Sequence, residues 1–275
     1  MENPGPVKER KRGKNLIVAG RQTAFVFLIV TVALFYIFLE MARRGRRIPI
    51  RTFPAIAAIP EAIGRCAEMG KPLLYTSGYA METLSNPDQG PQTLASISIL
   101  SHVARLAVKA GVKLYYFTCI QDSLPLVEET LRTAYLEEGK PEEFDPLQIK
   151  YQAGQSPYLN AVLGFMQRER PAANILMGGF YYESVVMGEG GNTIGAMQIA
   201  GTANTHQMPF LIATCDYCLI AEELYAASAN ITQDPWVLGC LRGEDIMKIV
   251  ILALLIVGFV ISFTGTTFLI DVLKR

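Results

Sequence analysis

The sequence predicts a Rossmann-like α/β fold, with a parallel sheet of about five strands, helices on both faces and a transmembrane helix on either side. Short apolar runs alternate with amphipathic segments through the middle of the chain, which is typical of a parallel sheet covered by helices. Two segments without a charged residue, Thr23–Leu39 and Ile249–Ile270, lie near the ends. Apolar helices of about 20 residues are long enough to span a bilayer.

The domain organisation follows from these segments. We expect a disordered basic N-terminus at 1–21, a transmembrane helix at 22–41, a basic stalk at 42–52, a soluble α/β domain at 53–242 and a second transmembrane helix at 246–271. The first apolar segment is followed by Glu40, Arg43 and Arg44 rather than by a small-residue cleavage site. It is therefore predicted to be an uncleaved anchor instead of a signal peptide.

Charge and cysteine content limit the class of protein. The chain has 25 basic and 25 acidic residues, so nucleic-acid binding driven by overall charge is excluded. Five cysteines without a framework spacing suit a reducing compartment. The basic flanks of the first span are nearly balanced, but the arginine cluster behind it lies closer to the membrane. We therefore expect an integral membrane protein with a cytoplasmic middle domain.

The predicted elements alternate in order along that domain. Strands are predicted at Pro72–Thr76, Val112–Ile120, Leu147–Tyr151, Asn174–Met177 and Pro209–Thr214, from short apolar runs bounded by turn residues. Helices are predicted at Pro60–Met69, Pro91–Ala110, Asp122 or Ser123 to Glu138, Ser156 or Pro157 to Arg170, and Leu219–Ile231, with one or two more between the last two strands. The first two helices have proline at the start and glycine just past the end, which are common helix boundaries.

The helix Pro91–Ala110 has an unusually wide apolar stripe between Leu94 and Val108. A stripe of this width indicates burial on more than one side. The helix is therefore expected either at the centre of the fold or at a contact with another subunit.

A candidate site lies in the glycine-rich stretch Pro171–Cys218, read as a strand–helix–strand unit. Ligands of open parallel sheets bind beyond the carboxyl ends of the strands. The acid–base candidates expected at that edge are Glu183, His206 and Asp216, and the ligand-binding candidates are Gly178, Gly179, Tyr181, Asn192 and Gln198. Asp216 has a simpler alternative role as a helix N-cap.

Nucleotide binding is disfavoured at the Gly178-Gly179 turn. Glycines before a helix can form a phosphate-binding loop, but no G-x-G-x-x-G or G-K-[ST] sequence is present. The negative charge of Glu183, one turn into the helix, would repel a phosphate. The sequence predicts no cofactor.

Cys215 and Cys218 form a C-x-x-C motif, which suits thiol–disulfide exchange when it lies at a helix N-terminus. The flanking residues differ from the usual redox pattern, and no second C-x-x-C or paired histidine completes a zinc site. Two small residues buried at a strand end are the simpler interpretation, and no metal site is predicted.

The chain also resembles a family of uncharacterised prokaryotic membrane proteins, a domain of unknown function. The resemblance lies in the segments RRGRR, AIGRCAEMGKP, TLASISILSHVARLAVKAG, RERPAAN, MGGFYYES, QIAGT, QMPFLIATCDY and IAEELYAASA. It implies a membrane-anchored α/β domain and supplies no activity.

The sequence leaves three functions open, one of which is a thiol-redox domain that uses Cys215 and Cys218. The first is a structural or assembly role, a homo-oligomeric scaffold held on membrane lipid. The alternative is a small-ligand-binding domain or enzyme that uses Glu183, His206 and Asp216 at the sheet edge.

Overall fold

The computed structural model describes residues 22–44 and 53–263. Among these residues, 53–238 form one compact unit, and 22–44 with 239–263 form another. The predicted disordered segment 1–21 and most of the predicted basic stalk lie outside the described residues.

The described elements alternate between strands and helices through the larger unit. The strands are β1 (Leu73–Gly78), β2 (Leu114–Thr118), β3 (Ile149–Tyr151), β4 (Ala173–Gly179), β5 (Met197–Thr202) and β6 (Tyr217–Ile220). The helices are α1 (Gln22–Arg43), α2 (Pro54–Ala57), α3 (Ile59–Met69), α4 (Gly90–Lys109), α5 (Leu124–Glu137), α6 (Gln155–Glu169), α7 (Glu183–Ile194), α8 (Met208–Thr214), α9 (Glu223–Thr232) and α10 (Pro235–Phe263).

All six strands form one parallel sheet in the order β3-β2-β1-β4-β5-β6. The order reverses between β1 and β4, where Leu74 lies opposite Asn174 in the register. The parallel α/β fold predicted from the sequence is therefore confirmed, with six strands instead of about five. In sheets of this order, the reversal opens a crevice at the carboxyl ends of the strands.

One predicted strand is wrong and two strands were missed. Pro209–Thr214 belongs to helix α8, and the flanking segments Met197–Thr202 and Tyr217–Ile220 are β5 and β6. A short continuous apolar run fits a buried strand or a helix equally well by periodicity. Pro209 favours the helix, because proline is well accommodated in the first helical turn. Gln198, Gly201 and Thr202 weaken the apolar signal of β5.

The sheet is buried on both faces. On one face the core is built with α3, α4, α5 and α9, and includes Tyr75, Leu100 and Leu131. On the other face the core is built with α6, α7 and α8, and includes Tyr158 and Met187. The helices therefore cover both sides of the sheet, as predicted.

Helix α4 lies at the centre of the first face. Its residues Ile99, Leu100 and Val103 are fully buried within this one chain. The hydroxyl of Tyr75 on β1 donates a hydrogen bond to the carbonyl oxygen of Ser96 over 2.6 Å. The wide apolar stripe is thus accounted for by the fold itself, except at Leu94, whose side chain is 48% exposed.

Among the described residues, one helical segment is long and apolar enough to cross a membrane. It is Ala24–Met41, with a mean hydropathy of 2.5 and none of the segment buried. The predicted second span does not meet the same criterion within the described residues. Its helix α10 is described only as far as Phe263, so residues 264–271 of that prediction lie outside them.

Candidate functional site

The loops that follow β1 and β4 are joined at the crevice. The backbone N–H of Tyr79 donates to the carbonyl oxygen of Gly179 over 2.9 Å. Gly78 and Gly178 have φ angles of 81° and 128°, and a Cβ at Gly178 would overlap the carbonyl group of Ser77. Only glycine allows both the backbone conformation and this close approach.

The carboxylate of Glu183 lies fully buried directly beside this junction, at the start of α7. It accepts hydrogen bonds from the backbone N–H of Tyr181 over 3.0 Å and from the side-chain amide of Gln155 over 2.6 Å. Burial raises the pKa of the Glu183 carboxyl above its usual range, and these hydrogen bonds partly oppose that shift.

This arrangement places the chain's own negative charge where a Rossmann-like fold commonly binds an anion. Backbone N–H groups at the start of a helix after a parallel strand attract phosphates and carboxylates. Here the carboxylate of Glu183 already accepts the hydrogen bond of the Tyr181 N–H. A second anion in that position would have to displace a buried side chain or lie against its charge.

Aromatic side chains line the solvent side of the same edge. The rings of Tyr79 and Tyr181 are 6.0 Å apart in an edge-to-face arrangement, and the rings of Tyr181 and His206 are 5.9 Å apart. His206 is exposed. The structure thus brings together five of the residues predicted for the site: Gly178, Gly179, Tyr181, Glu183 and His206.

The turn after β1 contains two non-glycine residues in the left-handed region, Met81 and Glu82, with φ angles of 56° and 61°. Such conformations cost free energy and often accompany functional segments.

Two causes raise the pKa of the Tyr79 hydroxyl at the start of this turn. The larger is burial, and the smaller is the negative charge of Glu82.

A buried amide cluster ties α4 to the same edge of the sheet. The side-chain oxygen of Asn204 accepts hydrogen bonds from Gln89 over 3.0 Å and from Gln92 over 2.9 Å. The side-chain nitrogen of Asn204 donates to the carbonyl oxygen of Phe180 over 2.8 Å. These bonds satisfy the amides within the chain and fix the loop after β5 against the loop after β4.

Three other predicted residues lie away from the crevice, at the amino-terminal ends of the strands. They are Asp216, Gln198 and Asn192. The carboxylate of Asp216 accepts the backbone N–H of Gln198 over 2.7 Å, near the amino end of β5. The strand rises about 3.3 Å per residue, so the four steps from Gln198 to Thr202 separate Asp216 from the carboxyl edge by about 13 Å. Asp216 is not part of a shared site with Glu183, and the error follows from reading α8 as a strand.

The side chain of Gln198 is a structural link at that opposite edge. Its amide nitrogen donates to the carbonyl oxygen of Gly188 over 2.8 Å and to the side chain of Asn192 over 3.0 Å. The amide oxygen of Gln198 and the side chain of Asn174 are buried without a hydrogen-bond partner. A Cβ at Gly191 would overlap the end of Gln198, so α7 approaches the sheet too closely to leave space for a ligand there.

The C-x-x-C motif lies between α8 and β6. Cys215 ends α8 and Cys218 lies within β6, so neither residue is at a helix N-terminus. Both thiols are free and half-buried. The thiol of Cys218 donates to the carbonyl oxygen of Leu211 over 3.4 Å. The interaction between the two thiols raises the pKa of Cys215 and lowers that of Cys218.

In the described part of the chain, no three histidine, cysteine or acidic side chains are grouped so that they could hold a metal ion.

Four residues at the crevice were not predicted from the sequence. They are Tyr79, Gln155 and the amide partners Gln89 and Gln92. Gln155 gave no signal, since a single glutamine at the start of a helix is common. Tyr79 could have been found from its position one residue past Gly78, at the end of β1.

Comparison with known proteins identifies the family. Neither the curated proteins nor the solved structures gave a match. The family model "Domain of unknown function (DUF6754)" matches residues 13–273, nearly the whole chain. The chain therefore belongs to the DUF6754 family.

Proposed function

We propose that this protein is a membrane-anchored α/β domain with a structural role, which assembles into a homo-oligomeric scaffold and does not catalyse a reaction. The observation that supports this most directly is the self-filled crevice. The carboxylate of Glu183 takes the place of a ligand anion, and Tyr79 and Gly179 join the two loops that would have to open around a ligand.

Anchoring is supported by helix α1. Its window Ala24–Met41 is apolar and unburied, and Val26, Leu28 and Ile29 are more than half exposed. Apolar surface of this extent is unfavourable in water and favourable in a bilayer. The proposal includes a second span in α10, with the α/β domain on the cytoplasmic side.

Assembly is supported by helix α8 rather than by α4. Helix α8 exposes two large apolar side chains, those of Phe210 and Ile212, which are 46% and 50% exposed. Large apolar side chains at the centre of an interface contribute most of the binding free energy. The burial of α4 within the chain removes the earlier reason for expecting Leu94–Val108 at a subunit contact.

The experiment is a mass measurement on the full chain purified in detergent. We expect a particle several-fold heavier than the 30.3 kDa chain, after correction for bound detergent. The double substitution Phe210→Ser and Ile212→Ser should reduce that mass, whereas Leu94→Ser, equally exposed but on α4, should leave it unchanged. A wild-type particle of monomer mass would reject the assembly role.

The alternative function, a small-ligand-binding domain or enzyme, is supported by one observation. Glu183 is a buried carboxyl group with a raised pKa beside the rings of Tyr181 and His206, and perturbed carboxyl groups are frequent in functional sites. A site of this kind would have to function without Asp216, which lies at the amino-terminal ends of the strands.

Thermal unfolding of the detergent-solubilised chain with ATP, NAD or inorganic phosphate tests this alternative. A rise in the unfolding midpoint with one of these probes, lost in Glu183→Gln and kept in the exposed matched control Glu189→Gln, would favour the alternative function over the scaffold. The self-filled crevice predicts no rise with any of the three.

A further inference from the structure

Helices α1 and α10 pack against each other in a regular antiparallel register. A Cβ at Gly239 would lie 2.8 Å from the Cα of Leu39, and one at Gly243 would lie 2.9 Å from the ring of Phe35. One turn further along α10, the sulfur of Met247 lies 4.0 Å from the hydroxyl of Thr31. Each step of four residues forward on α10 is a step of four residues back on α1.

This register sets charged residues of α10 beside the middle of the apolar window of α1. Arg242 pairs with Asp245 over 4.0 Å, and Lys248 pairs with Glu244 over 3.0 Å. These four side chains lie between or next to the contact positions at Gly239, Gly243 and Met247. By the same register they are level with residues 30–36 of α1.

The uncharged part of α10 begins at Ile249, which by the same register is level with Ile29. The segments that are apolar on both helices at the same level are thus short, from Ile29 to Ala24 on α1 and from Ile249 to Leu254 on α10. At about 1.5 Å per residue they cover about 9 Å, well below the hydrocarbon thickness of about 30 Å. One hydrocarbon layer cannot enclose both apolar segments completely without also enclosing charged residues.

We infer that the hydrocarbon layer of the bilayer ends at the level of Val30 and Lys248, so that the rest of the apolar window of α1, residues 31–41, lies in the lipid headgroup layer, where it includes the level of the ion pairs of α10. This inference rests on the proposed membrane anchoring. Charged side chains are costly in hydrocarbon and well accommodated among headgroups. Tyr36, which is 67% exposed in this segment, is a residue type enriched at that depth.

The depth of two α1 side chains tests the inference. The chain has one tryptophan, so Trp236→Phe gives a background into which Phe27→Trp or Tyr36→Trp introduces a single probe. Both positions hold exposed aromatic residues, and both substitutions keep an aromatic ring there. The full chain is reconstituted in phosphatidylcholine vesicles whose acyl chains carry bromine, a fluorescence quencher, either near the headgroup or near the bilayer centre.

We expect the tryptophan at position 27 to be quenched more strongly by deep bromine, and the one at position 36 more strongly by shallow bromine. Leu255→Trp on α10, in the same background, should behave like position 27. Equal deep quenching at positions 27 and 36 would overturn the inference while leaving membrane anchoring intact. Quenching at none of the three positions would overturn both, because the chain would then not be inserted.

Discussion

Glu183 at the start of α7 and Gln155 at the start of α6 are joined by a hydrogen bond of 2.6 Å between their side chains. The bond links two neighbouring helices on one face of the sheet, next to the crevice between β1 and β4. It also holds the carboxylate in a buried position, where burial raises its pKa.

Replacement of Glu183 by glutamine should reduce the dependence of stability on pH. Because the pKa is higher in the folded chain than in the unfolded chain, folding favours the protonated carboxyl. Its contribution to stability is fully present below the unfolded pKa of about 4.3, and is lost as the pH rises through the folded value. Glu183→Gln removes this loss. Denaturant unfolding from pH 4 to pH 8 should therefore give a flatter profile than that of wild type.

Glu189→Gln is the matched control, because Glu189 lies exposed on the same helix. Its pH profile should follow that of wild type. A Glu183→Gln profile as steep as wild type would show that the buried carboxyl does not control this dependence.

Two glycine substitutions should have opposite effects on the free energy of unfolding. At Gly178, alanine would adopt a φ of 128° and overlap the backbone of Ser77, so Gly178→Ala should destabilise the chain by more than about 3 kcal/mol. At Gly64, within α3, the added methyl group meets no atom within 4 Å. Gly64→Ala should therefore stabilise the chain by about 0.5–1 kcal/mol.

The midpoints of chemical unfolding at constant m-value measure both effects. If Gly178→Ala unfolds at the wild-type midpoint, the two loops at the crevice do not meet as closely as the structure indicates.

The parallel α/β fold and most element boundaries could be predicted from the sequence, because proline and glycine bound the helices and apolar runs form the central strands. Pro60 and Gly70, for example, closely mark the ends of α3. The strands β5 and β6 could not be predicted, since the apolar run of α8 between them has no periodicity that separates a helix from a strand. That one error moved Asp216 to the wrong edge of the sheet and hence into the predicted site.

The candidate site was only half predictable for a related reason. Glu183 and Tyr181 follow a correctly predicted strand, so their position at the carboxyl edge was correct. Gln155 comes from another helix, and its contact with Glu183 depends on how α6 packs beside α7. Packing of this kind leaves no local pattern in the sequence.

Asn204→Ala should destabilise the chain by about 2–4 kcal/mol. The substitution leaves the buried amides of Gln89 and Gln92 and the carbonyl of Phe180 with fewer partners, and unpaired buried polar groups cost about 1–3 kcal/mol each. Thr193→Ala, at an exposed site on α7, should change stability by less than about 0.5 kcal/mol. Equal unfolding midpoints for the two variants would mean that the amide cluster does not stabilise the fold.

The cysteines should react with an alkylating reagent in an order set by exposure and pKa. Burial raises the pKa of Cys66 to about 11 and that of Cys119 to about 12, so both should stay unlabelled until the chain unfolds. Cys240 is exposed and should be labelled first. Cys218 should follow, because its interaction with the Cys215 thiol lowers its pKa. Mass spectrometry of peptides after timed labelling gives the rate at each site.

Two substitutions at Cys215 isolate the effect of that interaction. Cys215→Ala removes the partner thiol, so the pH at which Cys218 reaches half its maximal labelling rate should rise. Cys215→Ser keeps a polar O–H group of similar size and should preserve most of the wild-type pH dependence. If both variants label Cys218 as wild type does, the reactivity of Cys218 depends on its exposure and not on the neighbouring thiol.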